Sequence, residues 1–237
     1  MQLFYHPDLD ASNKHIAFNK DESRHIQKVL RKQEGDVIHS TNGKGEIFAL
    51  SLTLVSPKLC EAEILEVSKK QPLPYRLHLA VAPTKNNDRF EWFLEKATEI
   101  GVTQITPLLC SRSERKHIKL ERFEKIIVSA MKQSLKAHLP VLNPLTSFDE
   151  FIKQNAPIDG LHCIAHCEDT PKESLKNVLT NQEAVTIIIG PEGDVAPDEI
   201  ELALKHNFTA VSLGEQRLRT ETAAVVACNT VSLFCTK

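Results

Sequence analysis

Three features of this sequence predict an α/β fold in which a parallel-sheet domain follows a smaller β domain. Beyond residue 74, short β-branched runs alternate with segments of helical periodicity, the order that builds a parallel sheet covered on both faces. Before residue 68 the apolar runs are short, and Asn42-Gly43-Lys44-Gly45 between two of them is a strong hairpin signal. Between these regions lies Ser68-Lys69-Lys70-Gln71-Pro72-Leu73-Pro74, polar and interrupted by proline, as a linker is. The predicted domains are 1–70, a small β-barrel, and 71–237, the α/β domain.

In the first domain, residues 37–38, 47–50 and 62–67 are strand-like, and 21–32 has helical spacing. On that helix Ile26, Val29 and Leu30 are expected to face inward, with Arg24, Lys28 and Arg31 on another face. In the second domain, residues 77–82 open the sheet. Residues 89–100 form an amphipathic helix with Phe90, Phe93, Leu94 and Ala97 inward and Gly101 as its stop. A strand over 102–109 and a helix over 120–136 follow. Ser147-Phe148-Asp149-Glu150 and Thr170-Pro171-Lys172-Glu173 have the spacing of capping boxes and are taken as helix starts. Strands at 160–166, 185–189 and 209–213, with helices at 197–206 and 220–234, complete the alternation.

A chain of 237 residues with 41% hydrophobic content can bury a sizeable core in each of two domains. Its first residues lack a basic segment followed by an apolar stretch, and no run approaches the length of a membrane span, so a cytoplasmic protein without membrane attachment is expected. A formal charge of −2 and a pI near 6.6 exclude a generally basic nucleic-acid binder; any RNA site must be a local patch. The six cysteines fall mostly within apolar patterns, which favours reduced, buried thiols. His162-Cys163-Ile164-Ala165-His166-Cys167 is the one cluster suggestive of a metal. As a strand it holds Cys163 and Cys167 about 13 Å apart, too far for a single ion, so no metal is predicted. No nucleotide-binding glycine motif, zinc-protease motif or nucleophile elbow is present.

Two loops carry the strongest functional signal: Ile189-Gly190-Pro191-Glu192-Gly193, and Leu213-Gly214-Glu215-Gln216-Arg217-Leu218-Arg219-Thr220-Glu221-Thr222-Ala223. Each follows a β-branched run and precedes a helical pattern, where open α/β sheets bind ligands. Gly190 and Gly193 have no Cβ to block an approaching ligand, and Pro191 stiffens the turn. Tight turns alone would account for the same glycines.

Together these loops resemble the trefoil-knot (SPOUT) methyltransferases, and within them the family that methylates uridine N3 in 16S ribosomal RNA. Lys85, Asp88-Arg89-Phe90-Glu91-Trp92, Lys96-Ala97-Thr98-Glu99-Ile100-Gly101-Val102, Arg112-Ser113 and Gln133-Ser134…Pro140 resemble that family's motifs in the same order, as does Arg24-His25…Val29-Leu30-Arg31. The resemblance implies a knotted C-terminal domain, a PUA-like N-terminal domain that helps to hold RNA, and a homodimer. Pattern alone cannot supply the knot, because true knots are nearly absent from proteins. The sequence departs from the family at Asp194, Val195 and Ala196, where a second glycine and then a hydroxyl residue are usual. It departs again at Lys136, which replaces an arginine and loses the planar fork.

By the same resemblance, S-adenosylmethionine is the cofactor. Ile189, Gly190, Pro191, Glu192 and Gly193 would hold it together with Leu213, Gly214, Leu218, Thr222 and Ala223. Methyl transfer to uracil N3 requires loss of the N3 proton, and a guanidinium beside the carbonyls would stabilise the resulting charge. Arg219 and Arg112 are the candidates for that role, and Glu192 or Glu221 for the proton acceptor. Glu221 could instead simply favour the N-terminus of the last helix. Arg24, His25, Arg31, Arg112, Lys116 and Lys136 are candidate RNA contacts, the partner being 16S ribosomal RNA or the small subunit. Two other classes stay open: a non-catalytic RNA-binding or ribosome-assembly protein with a vestigial knot, and an α/β enzyme for a small metabolite.

Overall fold

The computed structural model describes residues 2–156, 158–180 and 182–235 and divides them into two compact units. The first comprises the residues up to Pro72 together with Met131–Leu139; the second comprises Leu73–Ala130 and the residues from Pro140 onward.

The first unit is a curled five-stranded sheet. Its strands β1 (Leu3–Tyr5), β2 (His15–Phe18), β3 (Val37–Thr41), β4 (Glu46–Val55) and β5 (Cys60–Lys69) lie in the order β1-β3-β4-β5-β2, antiparallel except for β1 with β3. Asn42 to Gly45 turns β3 into β4, as its composition requires. Phe4, Phe18, Ile38, Phe48 and Leu50 form the core, and Ile26 packs into it from the helical segment. Met131–Leu139 adds to this unit: Gly45 N–H donates to Ala137 O at 2.9 Å, and Lys132 Nζ lies 2.7 Å from Glu22 Oε1.

The helical segment differs from the expectation of one regular helix over 21–32. It is α1 (Lys20–Arg24) followed by a π-helical turn at His25–Val29, in which Leu30 N–H donates to His25 O, five residues back. The wider turn shifts the angular position of every residue after it. Ile26 is fully buried and Leu30 packs against the core, but Val29 is 65% exposed rather than inward. Arg31, in the left-handed region at φ 54°, ends the segment.

The second unit contains β6 (Arg76–Val81), α2 (Asn87–Ile100), β7 (Gln104–Leu109), most of α3 (Leu120–Gln133), β8 (Val141–Leu142), β9 (Thr146–Ser147), α4 (Phe148–Asn155), β10 (Leu161–Ala165), β11 (Glu173–Ser174), α5 (Leu175–Val178), β12 (Ala184–Ile189), α6 (Pro197–Lys205), β13 (Thr209–Ser212) and α7 (Thr220–Cys235). The sheet is wholly parallel, in the order β11-β13-β10-β12-β6-β7-β8, with β9 paired to β7. Central strands of such a sheet are buried on both faces, and Val185 to Ile189 of β12 are all buried. Ala80, Ile164 and Ile188 pack with Phe148, Phe151 and Ile152 of α4 and Ile200 and Ala203 of α6. Successive strand residues point to opposite faces. The other face meets α7, whose small residues Ala224, Ala227 and Cys228 are fully buried; α7 also packs on α2, where the Cys228 thiol lies 3.7 Å from Ala97 O.

One expected helix start is overturned. Glu173 and Ser174 pair with Val211 and Ser212 as a short edge strand, so the helix after Thr170-Pro171-Lys172-Glu173 begins only at Leu175. Sheet pairing outcompetes the local capping signal there. The other helix start is realised, with the Ser147 hydroxyl accepting from Glu150 N–H while Glu150 Oε1 accepts from Gln154 instead. The helix expected over 120–136 stops at Gln133, and Leu135 is left-handed at φ 57°.

Candidate active site

Strands β13, β10 and β12 are neighbours and parallel, so the loops leaving their carboxyl ends gather at one edge. Those loops enclose a cleft of about 700 Å³. Its walls are residues 165–169 and Lys172 after β10, residues 189–194 after β12, residues 211–218 around and after β13, and Thr220 and Ala223 from the start of α7. The Thr220 hydroxyl donates to Gly190 O at 3.1 Å and fastens the beginning of α7 to the middle loop.

Two glycines explain the shape of the cleft. A Cβ on Gly190 would lie 2.6 Å from Val195 Cγ2 and 3.0 Å from the Val195 backbone nitrogen, so only glycine permits the chain to fold back there. Gly214 has φ +132°, strained for any other residue, with open space where a side chain would begin. The three departures from the family pattern also have physical roles. Asp194 adopts φ 65° and its Oδ2 accepts the Cys167 N–H at 2.8 Å. Val195 is fully buried in the core. Ala196 is the N-cap of α6 and has no side-chain acceptor; Glu199 reaches back to accept its N–H at 3.1 Å, and also accepts from Ser111 N–H. The cleft stays open with these residues in place.

Of the residues expected to hold the cofactor, Ile189, Gly190, Pro191, Glu192, Gly193, Leu213, Gly214, Leu218 and Ala223 line the cleft, and Thr222 does not. Glu192 also borders a second recess with Lys85, Asn86, Arg89 and Glu114, and its Oε1 accepts the Lys85 N–H at 3.0 Å. The Glu114 carboxylate, 2.9 Å from Lys85 Nζ, holds that ammonium's pKa above its usual value. Arg112 lies beside Gly193 and donates from Nη1 to its carbonyl at 3.2 Å. Arg219 is exposed between the cleft residues Leu218 and Thr220. Glu221, the other candidate proton acceptor, is buried away from the cleft lining: its Oε1 lies 3.8 Å from Arg89 Nε and its Oε2 has no hydrogen-bond partner.

The candidate RNA contacts divide between the units. Arg24, His25, Arg31 and Lys136 belong to the first, Arg112 and Lys116 to the second. Arg24 and Arg31 are exposed; His25 Nε2 lies 2.6 Å from the Gln2 side-chain amide, and its ring meets Phe4 edge-on.

Sequence reasoning missed the loop after β10. His166, Cys167, Glu168, Asp169 and Lys172 all line the cleft, although the segment drew attention only as a possible metal cluster. Among the described residues no group of three or more His, Cys, Asp or Glu is arranged to hold a metal ion. Burial pushes the Cys163 thiol up to about 12, whereas Cys167 is exposed. The signal that could have found this loop was its place at the end of a strand adjacent to two recognised ones.

Residues 71–232 match the family model of an RNA methyltransferase domain, and residues 18–65 that of an RNA methyltransferase PUA domain. Ribosomal RNA small subunit methyltransferase E of Rickettsia conorii is 29% identical over 94% of this chain and 92% of its own length. The crystal structure of a probable rRNA-methyltransferase from Porphyromonas gingivalis has a TM-score of 0.90 and 38% identity, covering 99% of this chain and 98% of that one. A ribosomal RNA small subunit methyltransferase E from Neisseria gonorrhoeae, bound to S-adenosyl methionine, has a TM-score of 0.87 and 28% identity over 98% of this chain and 97% of that one.

Proposed function

Because this chain belongs to the RNA methyltransferase family, we propose that it carries a methyl group from S-adenosylmethionine to N3 of a uridine in small-subunit ribosomal RNA. It is an S-adenosylmethionine-dependent ribosomal RNA methyltransferase. The observation that carries the reading is the open cleft at the carboxyl ends of β10, β12 and β13, floored by Gly190 and Gly214 and fastened by Thr220.

The cleft suits this donor. Ile189, Val211 and Leu218 offer an apolar wall to a flat base, charged side chains of both signs meet a zwitterion, and His166 presents buried ring nitrogens without a partner. The bound donor supplies an already activated methyl group on a sulfonium. What remains for the protein is to hold the acceptor in line, a contribution worth ~7–11 kcal/mol when the geometry is right.

N3 of a paired uridine is hidden in its base pair, so the target must leave its stack before reaction. Arg112, braced by Gly193 O, and the exposed Arg219 are assigned to the charge that spreads over the uracil carbonyls as the N3 proton leaves. Glu192, which borders both the cleft and the second recess, is assigned as proton acceptor in preference to Glu221. Arg24, His25, Arg31 and Lys136 of the first unit, with Lys116, supply backbone contacts to RNA, which position the substrate without reading its sequence. The active species is a homodimer acting in the cytoplasm.

The test is to incubate the purified protein with labelled donor and small subunits from cells lacking the gene, then to identify the labelled nucleoside by mass spectrometry. Label in 3-methyluridine at a single position is expected; label in another nucleoside, or none, would overturn the proposal.

A further inference from the structure

His166 follows β10, is 8% exposed and lines the cleft, and neither of its ring nitrogens has a hydrogen-bond partner. The other two buried histidines differ: His78 Nε2 lies 2.7 Å from the Thr106 hydroxyl, and His162 Nε2 lies 2.7 Å from Ile158 O. Buried polar groups are almost always satisfied, so one left unpaired on a cavity wall marks a place where a ligand supplies the partner. We propose that His166 is the residue that hydrogen-bonds the ribose hydroxyls of the methyl donor.

The inference rests on the reading of the cleft as the donor site, and it assigns the parts of the donor by elimination. The adenine ring matches the apolar wall of Ile189, Val211 and Leu218, while the amino-acid zwitterion matches ionised groups such as Lys172, Arg217, Glu168 and Glu215. Desolvation, assisted by the Lys172 charge, lowers the pKa of His166 against the opposing pull of Asp194 and Glu168, which favours the neutral imidazole. A neutral imidazole carries one donor and one acceptor. Hydroxyls, which are uncharged and can both donate and accept, are the part of the donor left to pair with it. The short Asp194 to Cys167 bond holds the loop that carries the ring.

Calorimetric titration with S-adenosylhomocysteine tests this without requiring turnover. Replacing the ring by one of similar shape without nitrogens, His166→Phe, is expected to weaken binding about ten-fold, with His166→Asn recovering part of the loss. Removing both ribose hydroxyls from the ligand should weaken binding to the unaltered protein by about the same factor and leave binding to His166→Phe nearly unchanged. Thermal unfolding separates this from a structural role. His166→Phe should melt no lower than the unaltered protein, because it removes unpaired buried nitrogens. The inference is overturned if His166→Phe binds as tightly as the unaltered protein, or if hydroxyl removal costs the same in both. If the unaltered protein binds no S-adenosylhomocysteine, the donor-site reading fails and the inference falls with it.

Discussion

Asp194 Oδ2 accepts the backbone N–H of Cys167 at 2.8 Å, so a residue that departs from the family pattern ties the loop after β12 to the loop after β10. The bond offsets the left-handed backbone that Asp194 must adopt, φ 65°, a conformation that Asp and Asn tolerate better than most residues.

Replacing this residue should separate the two effects. Asp194→Ala loses the bond and keeps the strain, with an expected loss of about 2 kcal/mol in urea unfolding. Asp194→Gly loses the bond but relieves the strain, so its loss should be smaller by about 1 kcal/mol. Equal losses would show that the backbone conformation costs nothing here.

Gly190 should tolerate no side chain. Gly190→Ala places a methyl 2.6 Å from Val195 Cγ2, with expected destabilisation of about 1–3 kcal/mol and weaker binding of S-adenosylhomocysteine. Gly193→Ala is the control, because its Cβ would meet Arg112 Cβ at an ordinary 3.6 Å; its stability should change by less than about 0.5 kcal/mol. Melting temperatures of the two variants decide the matter.

These two loops were legible in the sequence because glycine and proline at fixed offsets after a β-branched run impose a particular backbone. The alternation of strands and helices was legible for the same kind of reason, since buried parallel strands leave continuous apolar runs. What escaped was non-local. The loop from His166 to Lys172 joins the cleft only because β10 lies between β12 and β13, an order that no local pattern encodes. Glu173 and Ser174 became a strand through pairing with residues almost forty positions away, against their own capping signal. Val29 turned outward because one π turn altered the helical period, and Glu221 was drawn to Arg89 by a contact across more than a hundred residues.

Acid should weaken the second unit through His78. Burial pushes its pKa down from 6.5 to about 4, the charge of His162 adding to the effect and a hydrogen bond to the Asn155 side chain opposing it. The unfolded chain then binds a proton that the folded one refuses. The corresponding stability is complete above about pH 6.5 and declines toward pH 4, by up to about 3 kcal/mol. Urea unfolding at pH 7 and pH 4.5 should show this slope, and His78→Asn should flatten it; an unchanged slope would remove His78 as the cause.

Arg219 is exposed and makes no ion pair or side-chain hydrogen bond among the described residues, which leaves its guanidinium available to substrate. Arg219→Ala is expected to lower kcat about 100-fold while changing the Kd of S-adenosylhomocysteine by less than about two-fold. Single-turnover assays on small subunits provide the comparison, and an unaltered kcat would exclude Arg219 from the chemistry.

A crystal structure with S-adenosylhomocysteine tests most directly whether the cleft at the ends of β10, β12 and β13 holds the methyl donor. Density for the ligand between Gly190, Gly214 and Ala223 is the expected result. Density at any other place, with this cleft filled by the protein's own side chains, would contradict it.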